Sequence, residues 1–308
     1  MKPLAGRVAV VAGATRGAGR GIARTLGEAG ATVYCTGRNS RSRPNTAGYY
    51  AGRPETIEET VELIEAAGGA AVPVRVDHAV PEEVEALFDR VRREQGRLDV
   101  LVNVFWGGPS VAQWGGFWKH PLESGRALLD AAWPHVVTCR YAAPLLVERR
   151  AGLIVQLTEG DALFYRMNLF YDLGRNTEIR LAYALAEELA PRGITALAVT
   201  PGYLRSEAML DGFEVTEANW RDAVQKDPNF ILSETPFLVG RAVLALATDP
   251  GVSRKSGGLF SSWALAEEYG FTDVDGTRPQ ERRHLAKNSG EPPGGPPRTQ
   301  YRWQIRRA

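Results

Sequence analysis

The sequence is poor in cysteine, lysine and histidine, and it carries almost no net charge. Only Cys35 and Cys139 occur in 308 residues, too few for a disulfide framework and too isolated to form a metal site. Of the 37 basic residues 32 are arginine and 5 lysine, and 36 acidic residues leave a formal charge of +1. That balance gives no electrostatic reason to expect a nucleic-acid or membrane partner. No apolar run reaches the length needed to span a bilayer. The short apolar run near the N-terminus lacks a small-residue cleavage pattern and reads as a first strand, not a signal peptide. With 44% apolar residues the chain can bury a large core, which fits a cytoplasmic protein with one α/β domain over 1–276 and a tail over 277–308.

What is present is concentrated in Arg7 to Ala23, where an apolar strand (Val8, Val10, Val11) runs into closely spaced glycines that open a helix near Gly19. Gly13, Gly17 and Gly19 let the backbone turn sharply and approach a pyrophosphate, and the helix aims its free N–H groups at that anion. Gly13, Thr15, Arg16, Gly17, Ala18 and Gly19 are therefore the predicted phosphate cradle.

Strand-like and helical runs then alternate, as a doubly wound parallel sheet with helices on both faces requires. Strands are expected at Ala31–Thr36, Ala71–Val76, Leu98–Val104, Leu153–Leu157, Thr195–Val199 and Gly258–Phe260, seven with the first. Helices are expected at Glu55–Ala67, Pro81–Glu94 and Arg175–Ala190. Asn39–Pro54 reads as a long loop. Beyond Gly276 the chain turns Pro/Gly/Arg-rich and is expected to be irregular, with Tyr301 and Trp303 able to lie on a neighbouring subunit.

The end of the second strand reports on the dinucleotide. An acidic residue there would accept from the ribose hydroxyls of NAD, whereas this chain has Thr36-Gly37-Arg38. Arg38, with Arg16 in the glycine loop, suits a ribose phosphate, so NADP is the expected cofactor.

The Gly-x-x-x-Gly-x-Gly spacing and its surroundings resemble the short-chain dehydrogenase/reductase family, with Ala12 where a threonine is usual. The resemblance implies a Rossmann-like fold. It also implies cofactor contacts from Asp77 and His78 after the third strand, from Asn103, where the family's Asn-Asn-Ala-Gly has become Asn103-Val104-Phe105-Trp106, and from Pro201, Gly202 and Ser206. Leu246–Pro250, with Tyr269-Gly270 and Asp273–Gly276, resembles the C-terminal portion of a subgroup similar to carbonyl and steroid reductases.

In that family a Tyr-x-x-x-Lys pair protonates the substrate oxygen and holds the nicotinamide ribose. The matching positions are Tyr171 and Arg175, so the tyrosine is present and the lysine is not. The family's serine falls on Glu159, or on Thr158 if the register slips by one, and its helix asparagine falls within Asp130–Trp133, which holds none. Glu159 and Arg175 are expected to form a buried ion pair that sets the tyrosine's environment.

Trp106, Trp114, Phe117 and Trp118 suit a bulky apolar or planar substrate closed over by Phe213–Phe237, or else a subunit interface; Tyr165, Arg166 and Tyr203 are further candidates. The resemblance also implies a homodimer or homotetramer. Two readings of function follow. One is an NADP-dependent oxidoreductase acting on a C=O or C=N group of a small-molecule substrate. The other is a dinucleotide-binding protein without hydride chemistry, with redox-neutral dehydration or isomerisation through Glu159 as a third.

Overall fold

The computed structural model describes residues 2–46, 50–106, 115–162 and 165–279. Residues 280–308 of the predicted tail, Tyr301 and Trp303 among them, and Trp114 lie outside these residues.

Seven parallel strands form one sheet in the order β3-β2-β1-β4-β5-β6-β7. They are β1 (Val8–Ala12), β2 (Thr32–Gly37), β3 (Ala70–Arg75), β4 (Val100–Asn103), β5 (Gly152–Leu157), β6 (Ile194–Thr200) and β7 (Leu259–Ser261). The helices are α1 (Gly17–Glu28), α2 (Ile57–Ala66), α3 (Pro81–Gln95), α4 (Leu122–Asp130), α5 (Trp133–Arg149), α6 (Leu169–Leu189), α7 (Glu207–Phe213), α8 (Pro236–Thr248) and α9 (Ser262–Tyr269). None of them is long and apolar enough to cross a membrane.

The apolar composition of β1 has a direct cause. Successive strand side chains point to opposite faces, and here both faces are covered. Ala9 and Val11 join one core with Ile22 and Leu26 of α1 and Val239 and Val243 of α8. Val8 and Val10 join the other with Val84, Leu87 and Val91 of α3 and Leu145 and Leu146 of α5. Strand order reverses between β1 and β4, so the loops after these two strands part and leave a crevice at their carboxyl ends.

The predicted strands all form, within two residues at either end. The long helix differs more. It begins at Leu169 instead of Arg175, because the Asn168 side chain caps it by accepting from the Tyr171 amide at 3.0 Å. Tyr171 therefore stands in the first turn, with Arg175 one turn further along the same face. The first helix begins at Gly17, ahead of Gly19. The loop after β2 is organised by Asn39, whose amide donates to the Arg53 and Glu55 carbonyls at 2.9 and 2.6 Å while its Oδ1 accepts from Asn45 N at 2.7 Å.

Candidate active site

The glycine loop is tied to β2 by Gly13 N and Ala14 N, which donate to the Thr36 carbonyl at 3.0 and 2.9 Å. Thr60 donates to the Ala14 carbonyl at 2.9 Å and Arg20 to that of Thr15 at 2.8 Å. Gly13 and Gly17 have φ of +97° and +51°. A Cβ on Gly19 would stand 1.9 Å from the Gly13 carbonyl oxygen, so the helix can enter this close to the loop only with glycine there. Thr15 and Ala18 are buried within the turn. The Gly17 amide opens the helix and donates to Glu207 Oε2 of α7 at 2.7 Å, so a carboxylate sits where such a loop offers an anion site.

The two arginines expected at a ribose phosphate differ. Arg38 is exposed and has no hydrogen bond or ion pair among the described residues. Arg16 lies over the Tyr50 ring, 4.7 Å from its centroid, and donates to Glu55 at 3.1 Å, while its buried Nη2 has no partner. Arg53 shares Glu55 and reaches Asp211 of α7 at 2.8 Å. Burial alone would raise the Glu55 carboxyl, but Arg53 and Arg16 hold it below its usual value.

Asp77 follows β3 and accepts from Ala79 N at 3.0 Å. Two other residues expected at the cofactor turn their side chains into the core. The His78 imidazole lies between Thr36 Oγ1 (2.7 Å) and Thr138 Oγ1 (2.9 Å), and burial pulls its pKa down to about 3. Asn103 is buried, with its amide nitrogen on Gln156 (3.2 Å) and Cys139 (3.3 Å). Both can meet a ligand only through the backbone. Pro201 and Gly202 follow β6, where Thr200 Oγ1 donates to the Pro201 carbonyl and accepts from Gly160 N, both at 2.9 Å. Ser206 caps α7.

At the other end of the crevice Tyr171, Glu159 and Arg175 come together. The buried phenol donates to Glu159 Oε2. Burial first, and then the Glu159 charge, push the phenol's pKa above its usual value, so Tyr171 is held protonated. The expected ion pair of Glu159 with Arg175 is present but loose, 3.7 Å from Nε. The close partner of Arg175 is Glu178, at 2.9 Å from Nη1, and the guanidinium also lies over Trp106, 4.3 Å from the ring centroid. The edge of Trp106 meets Tyr171 with centroids 5.5 Å apart. Thr158 is buried, and its hydroxyl donates to the Arg175 carbonyl at 3.0 Å, turned toward the helix.

Two residues of this centre escaped the sequence reading, Glu178 and His135. Glu178 is buried, and burial, only partly opposed by Arg175, pushes its carboxyl up to about 7. His135 Nε2 approaches Glu178 at 3.7 Å, and its Nδ1 is 2.8 Å from Gln156 Oε1. Burial lowers His135 to about 4. The legible signal for Glu178 was its place three residues after Arg175 on one helix.

The other aromatics divide. Phe117 packs edge-on against Phe170, while Trp118 is largely exposed. Tyr203 bonds Asp227 and joins a separate cluster with Phe213, Trp220 and Phe230. Tyr165 is exposed, and Arg166 is buried with Nη2 donating to the Ala162 carbonyl at 2.6 Å.

A glycine cradle at the crevice and a tyrosine with a cation one turn on fit a nicotinamide dinucleotide. The family model described as short chain dehydrogenase matches residues 7–214. The chain is 36% identical over 281 residues to mouse (Mus musculus) dehydrogenase/reductase SDR family member 1, covering 89% of this chain and 85% of that one. Among solved structures it resembles a hydroxysteroid dehydrogenase from Escherichia coli, with TM-score 0.66 and 23% identity over 84% of this chain and 95% of that one. It also resembles a metagenomic short-chain oxidoreductase in complex with NADP, with TM-score 0.60 and 25% identity over 80% and 93% of the two chains. The chain belongs to the short-chain dehydrogenase/reductase family, whose members bind a nicotinamide cofactor and transfer hydride.

Proposed function

We propose that this chain is an NADP(H)-dependent oxidoreductase acting on a C=O or C=N group of a small apolar or cyclic substrate, with Tyr171 as general acid. The observation that carries this reading is the buried, protonated phenol of Tyr171, flanked by Glu159, Arg175 and Trp106. The cradle residues Gly13, Thr15, Arg16, Gly17, Ala18 and Gly19 would hold the dinucleotide phosphates, with Asp77, Asn103, Pro201, Gly202 and Ser206 along the remainder. A nicotinamide bound there supplies or takes the hydride.

Arg175 keeps a cation one turn from the phenol, and Glu178 and Trp106 fix its orientation. Glu159 counters it: the carboxylate keeps the phenol protonated, so the proton is present for the reductive direction but must leave Glu159 to reach a substrate. Preference for NADP is supported by exposed Arg38 and by the unpartnered Nη2 of Arg16. Exposed Leu129, Trp133, Val136 and Leu173 on α4, α5 and α6 support a homo-oligomer.

One observation favours a second reading, a dinucleotide-binding protein without hydride chemistry: the Tyr171 hydroxyl is already engaged by Glu159. Fluorescence titration with NADPH and NADH, followed by a screen of ketones, aldehydes and cyclic imines, separates the two. Tight NADPH binding and turnover that falls roughly 10²–10⁴-fold in Tyr171→Phe are expected for the enzyme. Binding with no turnover on any acceptor would favour the second reading.

A further inference from the structure

We infer that the acceptor favoured by this site is a cationic C=N group, an iminium, recognised by the Glu159 carboxylate. The inference rests on the hydride-transfer reading and narrows its substrate class.

Among the described residues, the polar groups bordering the Tyr171 hydroxyl are the wrong kind for a neutral carbonyl. Ketone reduction builds negative charge on the substrate oxygen and calls for hydrogen-bond donors aimed at it. Here the group touching the phenol is a carboxylate, which only accepts. The Thr158 hydroxyl, one residue before Glu159, is buried and donates to the Arg175 carbonyl. An alkoxide forming beside Glu159 would meet like charge, whereas an iminium meets its counter-ion.

The neighbouring cations do not cancel that preference. Arg175 lies 3.7 Å from Glu159 but 2.9 Å from Glu178, so two carboxylates share one guanidinium. That guanidinium is also stacked on Trp106, while Glu178 holds it at 2.9 Å. Arg166 acts on Glu159 through space, while it donates to Ala162 and Asn176 and its backbone N–H donates to Asp172 Oδ1. The Glu159 side chain remains 49% exposed, against 9% for Arg175 and 2% for Glu178, so it is the carboxylate of this group that a small molecule can reach.

For an iminium the chemistry balances without a proton from the protein, so Tyr171 then serves to hold the Glu159 carboxylate in place and acts as general acid only toward a neutral C=O or imine. Hydride from the reduced nicotinamide forms a C–H bond at the iminium carbon, and the C=N π pair becomes the lone pair on nitrogen. The substrate's positive charge is lost as the nicotinamide gains one, and the product is a neutral amine. Glu159 holds the cation, and for an imine that arrives neutral it favours the protonated form.

The test uses two near-isosteric bicyclic probes, N-methyl dihydroisoquinolinium, which is permanently cationic, and tetralone, which is neutral. NADPH oxidation with each is measured for the wild type, Glu159→Gln and Glu159→Ser. Binding of each probe to the NADP-loaded protein is measured by calorimetry. The wild type is expected to favour the iminium in kcat/KM and in affinity, and both variants to cut that preference by roughly tenfold or more. A preference unchanged in Glu159→Gln, or a wild type that favours tetralone, overturns the inference and leaves the hydride-transfer reading standing. Binding that favours the cation through Glu159, with neither probe turned over, supports the charge assignment and overturns hydride transfer. A protein that neither binds nor reduces the cation overturns the inference outright.

Discussion

At the scale of single residues, the groups around Tyr171 support one another. Arg175 stands one turn from the phenol, and its planar fork needs more partners than a compact ammonium would. Glu178 and Trp106 supply them, and Glu159 takes the phenol's proton bond. Arg38 makes the opposite case, a guanidinium with no internal partner among the described residues. Arg38→Ala is expected to weaken NADPH binding about tenfold while leaving NADH nearly unchanged, read by fluorescence titration. Equal losses for both dinucleotides would remove Arg38 from cofactor selection. The turns at Gly13 and Gly17 and the exposed Arg38 were legible in the sequence, because backbone geometry and exposed charge at a fixed point after a strand need no knowledge of distant packing. Glu178 and His135 were not, because their meaning depends on which way Arg175 turns. An acid three residues from an arginine is usually a solvated surface pair, whereas this one is buried, with His135 of α5 at 3.7 Å.

At the scale of elements, the strands were readable from their apolar runs because a sheet covered on both faces leaves little room for polar residues. The helices were less so. Asn168 and Asp172 are the capping residue and first-turn acid that start α6, yet the polar residues around them mask the apolar periodicity before Arg175. That six-residue difference decides the geometry of the site. With Tyr171 inside the helix, its spacing to Arg175 becomes a single turn, and the two side chains meet Glu159 from the same face. The helices between β4 and β5 were missed as elements. Pro144 lies inside α5, where proline ordinarily argues against a helix. The segment after β6 was expected to close over the substrate, and what the structure shows is a small core of its own around Trp220 and Phe230.

At the scale of the whole molecule, the buried titratable groups tie stability to pH in opposing directions. His135 and His78 are lowered to about 4 and about 3, so they bind fewer protons folded than unfolded. Their stabilising contribution is full above the usual imidazole range and is lost as pH falls through the folded values. Glu178 is raised to about 7, so its contribution is full below the ordinary carboxyl range and is lost as pH rises through about 7. Relative to Glu178→Gln, the wild type is therefore expected to lose stability by about 1.4 kcal/mol per pH unit between about pH 5 and 7. Denaturant unfolding of both proteins across that window tests it, and parallel pH profiles would show that Glu178 titrates normally.

The contact between Glu207 and the Gly17 amide carries a consequence of another kind. An anion that settles on this amide must first evict a carboxylate, so dinucleotide binding exchanges one anion for another instead of filling a ready seat. The evicted group belongs to α7, which Asp211 and Arg53 also tether to the nucleotide side. Arrival of the dinucleotide is therefore expected to loosen α7, and hydrogen exchange of the 207–213 amides should quicken when it is added. Unchanged exchange would mean that the Glu207 side chain swings aside alone and the helix stays where it is.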